Sequence, residues 1–225
     1  MASEPGRSLR GLYAVTPELA DTAELTRRVE AAIAGGASMV QYRAKNASAA
    51  LRLEQARRLA DTCRRQGAAL IVNDSVELAL AVGAAGVHLG RDDGGARAAR
   101  LAMPQGLIGV SCYDDPERAR AAGADGADYI GVGSMFPSST KPGAVRAPLD
   151  LIARARSVSG LPVAAIGGIT ASNAPLVVAA GADMLAIVSA LFDADDVFSA
   201  ARAFAHLFET PLPGTSDVRT QPRPV

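Results

Sequence analysis

Tryptophan is absent from this 225-residue chain, and aromatic side chains make up only 4% of it. There are two cysteines, two histidines and, among 23 basic side chains, two lysines. Each scarcity excludes something. Cys63 and Cys112 cannot supply a disulfide framework, and nothing points to an oxidising compartment. His88 and His206 form neither a catalytic triad nor a metal cluster with any neighbour in sequence. The 23 acidic groups cancel the 23 basic ones, so the basic surface that nucleic-acid binding requires is missing. No apolar run reaches the roughly 18 residues of a membrane span. Residues 1–10 lack the apolar core of a secretory signal. A cytoplasmic enzyme acting on small molecules is expected, with no nucleic-acid or membrane partner; a homodimer is left open.

The lysine scarcity is informative. Arginine fills 21 of the basic positions, and alanine makes up about a fifth of the chain. A biased base composition would produce both. Under such a bias, a lysine that remains, Lys45 or Lys141, is apt to be needed for its compact ammonium.

What is present is an alternation of short apolar runs and longer amphipathic stretches. Strands are predicted at 12–15, 39–42, 69–72, 87–89, 107–110, 129–132, 163–166 and 184–188. Most are rich in Val, Ile and Leu without polar alternation, as suits strands buried on both faces of a parallel sheet. Ala- and Arg-rich helices are predicted between them, among others at 22–34, 49–66, 116–122, 149–158, 171–180 and 197–208. Gly-Ala pairs at 36–37, 67–68, 83–84, 123–124 and 181–182 read as helix ends just before a strand. Eight buried strands and about eight helices predict a (β/α)8 TIM barrel, in one domain spanning 9–209, with a doubly wound open sheet as the alternative. Residues 1–8 and the Pro-, Thr- and Ser-rich 210–225 are expected to be disordered tails.

In such a barrel, chemistry sits at the C-terminal ends of the strands. Gln41, Arg43 and Lys45 alternate after the second strand and would share one face if the strand runs through them. Two cations and an amide there suit a polyphosphate; a solvated strand end is the alternative. Asn73-Asp74 follows the third strand and Arg91-Asp92-Asp93 the fourth. Carboxylates on neighbouring strand ends can share a hard cation, typically Mg²⁺. Asp74 or Ser75 could instead cap the helix that starts at Val76. The two acidic sites together favour metal. Ser111 ends the fifth strand and could bond a phosphate or an amine, or serve only as a buried or capping serine. Cys112 has no visible base and reads as a small core residue. The long loop from Gly133 to Gly143, with its hydroxyls and Lys141, suits anions. Gly167-Gly168 and Val188-Ser189 after the last two strands occupy the common phosphate site of barrels.

In this order, Gln41-Tyr42-Arg43-Ala44-Lys45, Asn73-Asp74, Val87-His88-Leu89-Gly90 with Asp93, Gly109-Val110-Ser111, Ser138-Ser139-Thr140-Lys141, Ala165-Ile166-Gly167-Gly168-Ile169 and Ile187-Val188-Ser189 resemble the thiamine-phosphate synthase family. The resemblance spans residues 12–208. It implies a condensation of 4-amino-5-hydroxymethyl-2-methylpyrimidine diphosphate with 4-methyl-5-(2-phosphoethyl)thiazole, requiring Mg²⁺, that yields thiamine phosphate and pyrophosphate. It further implies that Gln41, Tyr42, Arg43, Ala44, Lys45, Asn73, Ser111 and Lys141 hold the pyrimidine diphosphate. Ser138, Ser139, Thr140, Gly168, Val188 and Ser189 would hold the thiazole phosphate, and Asp74 and Asp93 the metal. Arg43, Lys45 and Lys141 would carry the catalytic charge. Two positions depart from the family pattern: Arg91 stands where Gln is usual, and Ser138 where Thr is usual. A related thiazole tautomerase would not need the full diphosphate and metal set. A non-catalytic phosphate-binding barrel would bind without turnover, and an aldolase would need a Schiff-base lysine free of anion-binding neighbours.

Overall fold

The computed structural model describes residues 9–137 and 145–209. Eight parallel strands close on themselves in sequence order: β1 (Gly11–Val15), β2 (Ala37–Tyr42), β3 (Ala69–Asn73), β4 (Gly86–Leu89), β5 (Leu107–Tyr113), β6 (Tyr129–Val132), β7 (Val163–Ile166) and β8 (Met184–Ile187). β8 pairs with β1 through Gly11–Met184 to Ala14–Ile187, which leaves no edge unpaired. The expected closed barrel is therefore present, and the open doubly wound sheet is excluded. The helices are α1 (Thr22–Ala34), α2 (Ala49–Gln66), α3 (Val76–Val82), α4 (Ala96–Ala102), α5 (Pro116–Ala124), α6 (Asp150–Ser159), α7 (Ala174–Ala179), α8 (Ser189–Phe192) and α9 (Val197–His206). None of them is long and apolar enough to cross a membrane.

Alternation along each strand divides the apolar side chains into two layers. Tyr13, Val15, Met39, Ile71, Tyr129 and Met184 fill the barrel interior. Leu12, Val40, Leu70, Val87 and Ile130 point outward into the larger core shared with the helices. The unbroken apolar runs in the sequence reflect this burial on both faces.

Local sequence sets the helix starts. Asp21, Ser48, Ser75, Asp115 and Asp196 each accept backbone N–H bonds at a helix N-terminus. Gly67 and Gly83 end α2 and α3 in the left-handed conformation, as the Gly-Ala pattern predicts. Gly123 does not end its helix, because α5 continues through Ala124. Its missing side chain serves packing instead: a Cβ there would lie 2.6 Å from the Ser159 carbonyl oxygen of α6.

Several strand and helix ends differ from their predicted limits by one to three residues, and the β2 end bears on the site. β2 stops at Tyr42, so Arg43 and Lys45 lie on the following loop rather than in a continued strand. β5 runs on to Tyr113, with a register shift between Ser111 and Tyr113. α7 begins at Ala174, three residues later than predicted, because Thr170 to Asn173 form a turn closed by Asn173. The predicted tails, 1–8 and 210–225, lie outside the described residues.

Candidate active site at the barrel mouth

The ends of β1 and β2 are laced together, and this holds the Arg43–Lys45 loop in place. The Thr16 amide donates to the Gln41 carbonyl, and the Arg43 amide donates to Thr16 Oγ1 at 2.9 Å. Glu18 accepts the Lys45 amide at 2.7 Å and the Asn46 amide at 3.3 Å, and lies 3.8 Å from the Arg43 guanidinium. No motif marks Glu18 in the sequence. Its partners are mostly backbone groups 27 and 28 residues away.

Asp74 and Asp93 meet at the ends of β3 and β4. Ser75, not Asp74, caps α3 by accepting the Leu78 amide at 3.1 Å. That leaves the Asp74 carboxylate available. Asp74 adopts a left-handed backbone with φ of 65°, rare for a residue with a side chain. Its carboxylate lies 3.1 Å from Lys45 Nζ. Asp93 folds back to accept the Gly90 amide at 2.7 Å, which closes the β4 loop. Burial and a hydrogen bond to the Asp74 carboxyl push the Asp93 pKa up, against the pull of the Gly90 amide and the Lys45 ammonium. Two carboxyls this close favour sharing a proton or a cation over both standing ionised alone. Among the described residues no third acidic, histidine or cysteine ligand joins them. A pair of this kind suits a hard ion that takes its remaining oxygens from phosphate and water.

Other predicted residues fall around this pair. Lys45, Asn73, Asp74, Ala44 and Tyr42 border a cavity of about 250 Å³ between the β2 and β3 ends and the helices that follow them. The Tyr42 side chain does not turn into the barrel, because its hydroxyl donates to Gln55 Oε1 on α2 at 2.9 Å. Gln41 and Ser111 face the barrel interior, on β2 and β5. Gln41 donates to the Tyr13 hydroxyl, and Ser111 Oγ lies 2.9 Å from His88 Nε2. Arg91 lies over the Tyr113 ring at 5.1 Å, and Arg118 lies over the same ring at 5.6 Å. Cys112 is fully buried and its thiol is pushed up to about 12 by that burial, so it is a core residue and no nucleophile.

Across the mouth, Gly167 and Gly168 pack against the chain that leaves β6. A Cβ on Gly168 would lie 2.2 Å from the Pro137 carbonyl oxygen, and its φ of 62° is itself left-handed. Only glycine fits there. Val188 and Ser189 lead into the short α8, the extra helix after the last strand that many barrels carry. Ser138, Ser139, Thr140 and Lys141 lie outside the described residues.

Comparison with known proteins agrees with this geometry. Residues 12–191 match the family model described as thiamine monophosphate synthase. The chain is 53% identical over 206 residues to thiamine-phosphate synthase of Aromatoleum aromaticum, covering 91% of this chain and 99% of that one. It is 54% identical over 199 residues to the enzyme of the same name from Thiobacillus denitrificans, covering 88% of this chain and 94% of that one. Among solved structures it is similar to thiamine phosphate pyrophosphorylase of Pyrococcus furiosus, with a TM-score of 0.80 and 35% identity over 90% of this chain and 96% of that one.

Proposed function

The chain belongs to the thiamine monophosphate synthase family, a transferase family of thiamine biosynthesis, and from that membership we propose how its own residues carry the reaction. The bond between the pyrimidine methylene carbon and the diphosphate oxygen breaks, and its electron pair leaves with pyrophosphate. The thiazole nitrogen supplies the pair for the new C–N bond. That nitrogen is already a nucleophile, so no side-chain base is required. This accounts for a mouth with no activated histidine or cysteine.

The residues then have two tasks: to neutralise charge on the departing pyrophosphate and to hold two substrates in line. Arg43 and Lys45 offer their cations to the diphosphate from the β2 loop, braced by Glu18. Lys141 joins them from the loop after β6. Magnesium, when bound, supplies the further positive charge that the departing diphosphate oxygens require. Asp74 and Asp93 would hold it. Burial, a hydrogen bond to Asp74 and, to a lesser degree, the Asp74 charge raise the Asp93 pKa, and a divalent ion would offset the cost of keeping both carboxylates ionised there. Lys45, now 3.1 Å from Asp74, would then be free to turn to the diphosphate.

Tyr42 contributes through its backbone in this reading. Asn73, Ser111 and Gln41 orient the pyrimidine. Gly168, Val188, Ser189 and the hydroxyls of Ser138, Ser139 and Thr140 hold the thiazole phosphate. Residues 9–209 act as one catalytic domain. We also propose a cytoplasmic setting, which the two free, buried thiols fit.

The observation that carries this reading is the Asp74–Asp93 pair with Lys45 beside it. The test is to mix both substrates with Mg²⁺ and folded protein and to assay thiamine phosphate and pyrophosphate. Both products should appear in equal amounts and fail to appear when either substrate is left out. Folded protein that binds the substrates without forming product would overturn the reading in favour of a binding protein.

A further inference from the structure

A continuous run of hydrogen bonds crosses the barrel interior from β2 to β5. Gln41 Nε2 donates to the Tyr13 hydroxyl at 2.8 Å. The Tyr13 and Tyr129 hydroxyls lie 2.7 Å apart. Tyr129 then meets His88 Nδ1 at 3.2 Å, and His88 Nε2 meets Ser111 Oγ at 2.9 Å. Both phenols are sealed from solvent, and burial raises both of their pKa values, so they stay protonated. Room for the run is made by glycine. A Cβ on Gly109 would lie 2.2 Å from the Tyr129 ring and 2.5 Å from His88 Nδ1.

Each phenol has one proton to donate, and this fixes the direction of the whole run. If Gln41 donates its N–H to Tyr13, the Tyr13 proton must go to Tyr129, and the Tyr129 proton to His88 Nδ1. His88 then carries its proton on Nε2 and donates it to Ser111 Oγ. The Ser111 proton is left for the mouth, as is the acceptor oxygen of Gln41. Turning the Gln41 amide over reverses every step. Its N–H would then face the mouth, and Ser111 would present an oxygen there with its proton given to His88. With His88 neutral, any other arrangement leaves a phenol proton without an acceptor, or leaves one contact of the run with no proton or with two protons in it, which is costly.

We propose that the Tyr13–Tyr129–His88 run is a positioning device that ties the hydrogen-bonding senses of Gln41 and Ser111 together. One end offers the mouth an acceptor whenever the other offers a donor. With Gln41 donating to Tyr13, Gln41 is set to receive the N–H of an exocyclic amine and Ser111 to donate to a ring nitrogen. An aminopyrimidine carries both groups. Edges with two donors or two acceptors are refused at one end. The inference deepens the reading in which Gln41 and Ser111 hold the pyrimidine, and it makes His88, Tyr13 and Tyr129 positioning residues for that substrate.

The test reads the run without turnover, so its failure is distinct from failure of the synthase reading. With only two histidines in the chain, the ring nitrogens of His88 can be followed by nitrogen-15 NMR. The native protein should carry the His88 proton on Nε2. Gln41→Glu puts an acceptor-only carboxylate at the far end and should place a proton on Nδ1, three hydrogen bonds away. Adding Tyr129→Phe should abolish that response. In kinetics, Tyr129→Phe alone should raise the KM for the pyrimidine diphosphate about tenfold, the worth of one well-placed buried hydrogen bond, and leave the KM for the thiazole phosphate unchanged. A His88 proton that stays on Nε2 alone in folded Gln41→Glu protein would overturn the proposal, as would equal rises in both KM values.

Discussion

The two ends of the barrel use aspartate in opposite ways. At the floor, Asp128 accepts the Arg100 guanidinium at 2.6 Å and the Ile108 amide of β5 at 2.7 Å. Asp183 repeats the arrangement two strands on, accepting Arg156 and, at 2.7 Å, the Val163 amide of β7. Each carboxylate there has one guanidinium N–H and a strand amide, and its charge is satisfied by the protein alone. At the mouth, Asp74 and Asp93 share a hydrogen bond, with Lys45 3.1 Å from Asp74. Satisfied aspartates tie helix ends to strand starts. Aspartates set against each other are, in the proposed reaction, the pair that would take a cation. At the floor the partners are arginines alone, whereas at the mouth Asp74 meets the compact ammonium of Lys45.

Substitutions at the two ends should therefore give opposite results. Asp93→Asn should lower kcat about 100-fold, the scale of losing one element of transition-state charge stabilisation, with the melting curve essentially unchanged. A steady-state assay beside a thermal melt checks both halves. Lys141→Ala should likewise lower turnover sharply while the barrel stays folded; near-native rates would remove that lysine from the diphosphate site. Lys45→Arg should cost on the order of tenfold in kcat/KM, because the larger planar cation cannot replace an ammonium fitted against Asp74. Asp183→Ala reverses the pattern. Leaving Arg156 and the Val163 amide unpaired should lower stability by about 2 kcal/mol in urea unfolding, with both KM values unchanged. The smallest effect should come from Ser75→Ala, which removes the α3 cap for about 1 kcal/mol of stability. If instead it abolished activity, the separation of Ser75 as cap from Asp74 as ligand would fail.

Much of this was legible in the sequence, for identifiable reasons. The strand interiors are apolar on both faces, so all eight stood out, and β6 and β7 match their predicted limits. Polar residues at the C-terminal strand ends stood where a barrel carries its chemistry, which brought Asp74, Asp93, Lys45 and Ser111 forward. Other features were not read. Glu18 carries no motif, and its backbone partners lie far along the chain. Tyr42 sits in a run of mouth residues, but the alternation that groups Gln41 with Arg43 turns its ring outward to Gln55. The Tyr13–Tyr129–His88 run was hidden because its members lie far apart in the chain and inside apolar strands. In the sequence His88 had no triad or metal cluster to join, and its partners in the run could not be named. Gly109 and Gly131, both on the interior face, were the signal that something large sits between β4, β5 and β6.

The contrast between floor and mouth rests on Asp74 being a cation ligand rather than a cap. The most direct measurement is the rate of thiamine phosphate formation as a function of Mg²⁺ concentration, in the native protein and in Asp74→Ala. The account predicts that the activation midpoint rises at least about tenfold in the variant, with the barrel still folded. An unchanged midpoint would contradict it.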